Sequence, residues 1–175
     1  MNAAVTIDEW LSATVDSTAE FAATTLRGTL THVEARDVVP AQVTGCFVAL
    51  VGEDESIQIG IAASASGCQN LAQALFASEE PLEESDVSDA LGEITNIVAG
   101  GVKKRIAAKR TQLAIGLPIV MDGQLRVCDR QQLVTADVAI GEVAVRILIL
   151  CSSKPNPATS TPHLSASRQS SGSLV

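Results

Sequence analysis

The sequence predicts an α+β fold made of two related halves, each a helix followed by extended runs, with a mostly antiparallel sheet packed against long helices. Three observations carry this. Helical runs precede groups of strands instead of alternating with them one by one, so parallel βαβ units are not expected. Paired apolar runs around a short polar break occur near residues 45–63 and again near 133–150, each the pattern of a hairpin. The 175-residue chain is 46% hydrophobic but only 2% aromatic, so its core must be built from Val, Ile, Leu and Ala.

Each element follows from its own pattern. Ile7, Trp10, Leu11, Val15, Ala22 and Leu26 recur at helical spacing and Gly28 follows, which predicts a first helix over residues 7–27 with Trp10 in the core. "THVEARDVV" alternates as a strand and contains His32. In "GCQNLAQALFAS" the residues Cys68, Leu71, Ala72, Leu75 and Phe76 form one apolar stripe, predicting a second helix that lies on the sheet. After the acidic "SEEPLEES", a long helix is expected from Asp86 to about Lys109, with Ser85 or Asp86 as its cap. The runs "LAIGLPIVMDGQLRV" and "QLVTADVAIGEVAVRILIL" return to strand character. One domain is expected over residues 1–151, and the Ser/Thr/Pro-rich stretch 152–175 reads as a disordered tail.

Composition excludes several classes of function. A net charge of −8 opposes binding to nucleic acid, where phosphate contacts supply most of the affinity. The apolar runs are too short to cross a bilayer, which needs roughly 20 residues. Two histidines, His32 and His163, leave little material for a His-based triad or a multi-His metal site. Cys46, Cys68, Cys128 and Cys151 show no C-x-x-C spacing and no secretory-leader pattern is seen, so they are expected to be reduced, mostly buried thiols of a cytoplasmic protein.

The chemistry concentrates on the long helix. At about 100° per residue, Asp89, Glu93, Asn96 and Gly100 share one narrow stripe, while Leu91, Ile94, Val98 and Val102 face away from it. Asparagine is a poor residue for a helix interior, and Gly92, Gly100 and Gly101 each cost about 1 kcal/mol relative to alanine. Such costs point to a surface that needs close approach. An amide is a bad general base, but it can accept from a water while donating to a nearby anion, as a glutamine does in some GTPases. The basic residues Lys103, Lys104, Arg105, Lys109 and Arg110 suit the end of a helix, and also an acidic partner.

Asp89-x3-Glu93-x2-Asn96, followed after twenty-one residues by Pro118, resembles the signature of the CheC, CheX and FliY chemotaxis phosphatases, which dephosphorylate the response regulator CheY. The similarity of layout covers roughly residues 5–151. It implies that Asn96 orients the attacking water in the partner's active site, that Glu93 pairs with a partner lysine, and that Asp89 and Pro118 support the motif. It also implies that Mg²⁺ is supplied by the partner, a phosphorylated CheY-like response regulator, so that no cofactor is needed here. The first helix offers Asp16-x3-Glu20-x2-Ala23, with alanine where asparagine would stand. A single intact motif resembles the CheX branch, and with it a homodimer. The apolar last strand, "VAVRILIL", supports a dimer if it is an open edge. The alternative is a non-catalytic module that binds the regulator, similar to flagellar-switch components.

Overall fold

The computed structural model describes residues 5–36, 40–53, 55–109 and 112–153. Helix α1 spans Ile7–Thr24, opened by a capping box in which the Glu9 N–H donates to Thr6 Oγ1 (3.2 Å) and the Thr6 N–H donates to Glu9 Oε2 (2.9 Å). It ends three residues short of the sequence expectation. Arg27, not Gly28, takes the left-handed conformation (φ 52°), and the Gly28 N–H turns back to the Ala22 carbonyl at 2.9 Å. Strands β1 (Leu30–Arg36), β2 (Val43–Val51) and β3 (Glu55–Ala63) follow. Helix α2 is Ala65–Phe76, capped by Ser64, and α3 is Glu84–Ile106. The chain closes with β4 (Ala114–Ile115), β5 (Ile119–Gly123), β6 (Gln131–Ile140) and β7 (Val143–Ser153).

All seven strands form one antiparallel sheet in the order β1-β6-β7-β3-β2-β4, with β5 also paired to β2. The two halves are visible in the pairing. The β2–β3 and β6–β7 hairpins meet along β3 and β7, where nine residues pair from Glu55↔Ser153 to Ala63↔Val145. The strand after α1 crosses to β6 of the second half, and the strands after α3 cross to β2 of the first. Each half therefore completes the other's sheet, and α2 is the connection between them.

The last strand corrects one expectation. β7 is central, flanked by β3 and β6, so its apolar run is not an open edge and gives no argument for a dimer. Ile147 and Ile149 join the main core, while Leu148 packs with Val43, Phe47 and Ala62 in a separate cluster. Burial on both faces produces the unbroken apolar run. The strand also continues through Ser153, two residues beyond the expected domain end. Residues 154–175, where the tail was expected, lie outside the described residues.

Helices α1 and α3 pack on each other and on the sheet. Trp10 and Phe21 from α1 join Ile94, Val98 and Val102 from α3 in the main core with Ile57, Ile59 and Ile61, and Trp10 is fully buried. Close packing needs a glycine at one point. A Cβ on Gly101 would stand 2.0 Å from Ser17 Oγ, which donates to the Val98 carbonyl at 2.8 Å. Gly101→Ala is expected to destabilise the fold by about 1–3 kcal/mol through overpacking, despite a helix-propensity gain of about 1 kcal/mol. Urea unfolding checks this, and Ser17→Ala in the same chain should recover part of the loss.

Candidate functional site

Helix α3 carries the motif. Glu83 occupies its N-cap without a side-chain hydrogen bond, so Ser85 and Asp86 lie inside the helix and do not cap it. The first-turn carboxylates Glu84 and Asp86 offset the helix dipole there instead. At the other end, α3 stops at Ile106, three residues before the expected Lys109. Lys103, Lys104 and Arg105 fill the last turn. Arg105 Nη2 pairs with Glu20 Oε2 at 2.6 Å and ties α3 to α1, and Lys109, in the turn after α3, pairs with Glu9 of α1. The Lys109 ammonium holds the Glu9 carboxyl below its usual range. Arg110 lies outside the described residues.

One face of α3 locks the helix in place. Ala90, Leu91, Ile94, Thr95, Val98, Ala99 and Val102 are buried, including all four residues expected to face inward. Leu91 packs with Cys46 and Cys68, and burial pushes both thiols above their ordinary range. None of the four cysteines forms a disulfide among the described residues, but only these two are buried; Cys128 is exposed and Cys151 half-buried.

On the opposite stripe Asp89 and Glu93 are exposed and Asn96 is half-buried. These three line a cleft of about 320 Å³ with Ser88, Gly92, Pro118 and Val120. All four motif residues thus meet in one place. Pro118 lies against the helix at Gly92, where a Cβ would sit in ordinary contact, 3.4 Å from Pro118 Cβ and Cγ. Among the described residues, no hydrogen bond or ion pair engages the side chains of Asp89, Glu93 or Asn96. No group of three or more His, Cys, Asp or Glu side chains placed to hold a metal ion occurs among the described residues. Chemically, the cleft offers two carboxylates and a carboxamide on a rigid helix, open to a macromolecule.

Sequence reasoning named Asp89, Glu93, Asn96 and Pro118 and missed Ser88 and Val120 as cleft walls. Gly92 had a signal in its helix cost, though its contact with Pro118 was not legible. The matching stretch on α1 is different: Asp16, Glu20 and Ala23 are exposed, and Glu20 is held by Arg105.

Residues 44–138 match the family model described as Chemotaxis phosphatase CheX. The chain belongs to the CheX family. Solved structures agree in fold. This CheX-family chain superposes on the chemotaxis protein CheX from Vibrio vulnificus with a TM-score of 0.67 at 19% identity, over 82% of this chain and 99% of that one. CheX from Desulfovibrio desulfuricans gives 0.67 at 14% identity, over 83% and 99%. A third match is the Borrelia burgdorferi CheX-CheY-BeF3-Mg complex, with a TM-score of 0.66 at 13% identity, over 83% of this chain and 98% of that one. A search of curated proteins returned no match. Among the described residues, no helix of this CheX-family chain is long and apolar enough to cross a membrane.

Proposed function

We propose that the chain is a protein aspartyl-phosphate phosphatase acting on a CheY-like response regulator in the cytoplasm. The observation that carries this is the single cleft holding Asp89, Glu93, Asn96 and Pro118. An acyl phosphate is already reactive, so catalysis needs mainly a placed water and charge stabilisation. Asn96 accepts a hydrogen bond from that water and donates to the phosphoryl group. The water oxygen then attacks phosphorus in line, the bond to the aspartyl oxygen breaks, the carboxylate leaves, and the water's proton passes to a phosphoryl oxygen to give inorganic phosphate. Glu93 pairs with a lysine of the regulator, Asp89 supports the motif one turn earlier, and Pro118 braces Gly92. Mg²⁺, when bound by the regulator, would offset charge on the phosphoryl group. Family membership and the likeness to a CheX structure solved with CheY support this reading.

The test is the lifetime of the phosphorylated receiver domain with and without the chain. Shortening it supports a phosphatase. Tight binding with an unchanged lifetime would instead favour the non-catalytic, switch-like module, a role in which an intact Asn96 has no purpose.

We also propose a homodimer, now supported by a different strand. β5 lies at the margin of the sheet and exposes Ile119 (67%), with Leu117 (85%) just before it. Light scattering should give twice the chain mass, and Ile119→Lys should shift it toward the monomer. A monomer at high concentration would rule the dimer out.

A further inference from the structure

The three glycines of α3 are not equivalent. A Cβ on Gly101 would collide with Ser17 Oγ at 2.0 Å and one on Gly92 would touch Pro118 at 3.4 Å, whereas a Cβ on Gly100 would meet nothing within 4 Å. Glycine is the poorest ordinary residue for a helix interior. Nothing in the fold requires it at position 100.

Its surroundings suggest what does. Gly100 follows Asn96 by one turn, on the stripe that Glu93 and Asn96 share, and Lys104 continues that stripe one turn further. It lies in a groove of about 330 Å³ between α1 and α3, with Glu20, Thr24, Ile97 and Lys104 among the walls. Ile97 is 38% exposed, a large apolar side chain directly after Asn96. A globular partner that engages both Glu93 and Asn96 must also cover the next turn, about 6 Å along the axis. Charge fits one occupant. An acyl-phosphate site is anionic, with a phosphoryl group and the carboxylates that hold Mg²⁺. Lys104, two turns beyond Asn96, offers a positive charge to the acidic surface around that site, while the neighbouring Arg105 is held by Glu20.

We propose that Gly100 is the close-approach point where the phosphorylated receiver domain seats on α3, its missing side chain setting how near the phosphate comes to Asn96. This rests on the phosphatase reading above. It makes Gly100 a positioning residue, with Ile97 and Lys104 as contacts beside it.

The experiment compares Gly100→Ala and Gly100→Gln with the wild type in two readouts. One is thermal unfolding. The other is binding of a CheY-type receiver domain loaded with beryllofluoride and Mg²⁺, together with KM for the phosphorylated domain. Both substitutions should raise the unfolding midpoint, by about 2–4 °C, because a helix-interior glycine is replaced without a clash. Binding should nevertheless weaken, about tenfold or more for glutamine and less for alanine, as bulk enters the contact. Ala74→Gln, on the exposed side of α2, should leave binding unchanged. A stabilised Gly100→Gln chain that binds and turns over like the wild type would overturn the inference, as would a lowered midpoint in both variants. If Asn96→Ala abolishes turnover while Gly100→Gln does not affect it, this inference alone falls. If the wild type neither binds nor dephosphorylates the domain, the phosphatase reading falls with it.

Discussion

Asn96→Ala is expected to lower the turnover of phosphorylated receiver domain about 10²–10³-fold, the usual loss when one preorganised polar group is removed from a transition state. The reason is local. In this reading Glu93 docks the partner and Asp89 supports the motif, so neither carboxylate acts on the water and little remains to accelerate hydrolysis once the carboxamide is gone. Two further variants separate positioning from polarity. Asn96→Asp keeps the size but removes the N–H donors and adds a negative charge beside a phosphoryl group, so it should lose as much activity as alanine. Asn96→Gln keeps the amide but moves it outward by a methylene, and an error of about 1 Å can cost about 10²-fold. Binding of the beryllofluoride form should change little for alanine. The loss would then fall on kcat and not on KM, as for an interaction made only in the transition state.

Glu93→Ala is expected to act the opposite way, raising KM and the dissociation constant. Truncating one member of a buried, hydrogen-bonded charge pair costs about 2–5 kcal/mol, much of it from leaving the other charge unpaired. Glu93 is exposed in the free chain and holds no intramolecular partner among the described residues, so nothing inside the fold compensates for or competes with that pairing. At saturating chain the Glu93→Ala variant should regain most of its turnover, because Asn96 is untouched. Glu93→Lys should bind worse still through like-charge repulsion. Stability should hardly move, since substitutions at exposed sites usually stay within about 0.5 kcal/mol. If Glu93→Ala instead lost kcat at unchanged affinity, its role would be chemical and not docking.

Much of this was legible because local signals agreed with the fold. The inward residues of α3 were readable from their 3.6-residue period, and the two hairpins from paired apolar runs around short polar breaks. The motif is largely contained in one helix, so its spacing alone put Asp89, Glu93 and Asn96 on one stripe. Non-local facts were not readable. The crossing of β1 to β6 and of β5 to β2 is set by pairing between halves, which no local period encodes. β7 was misread as a possible edge because an apolar run looks the same whether a strand is central or exposed. Helix ends moved by two or three residues, as where a left-handed arginine or first-turn carboxylates replaced the expected glycine or cap. The Glu20–Arg105 pair joins residues 85 apart and has no sequence signature. It matters for the site, because the α1 copy of the motif lacks its amide and has its glutamate engaged.

The central claim is that a carboxamide on α3 places the water for a phosphoryl group held by another protein. Single-turnover loss of phosphate from a receiver domain, mixed with saturating wild-type or Asn96→Ala chain, tests it most directly. The account predicts that the wild type shortens the phosphate's lifetime and that Asn96→Ala, though still bound, returns it to that of the receiver domain alone. Equal rates for the two chains would contradict it.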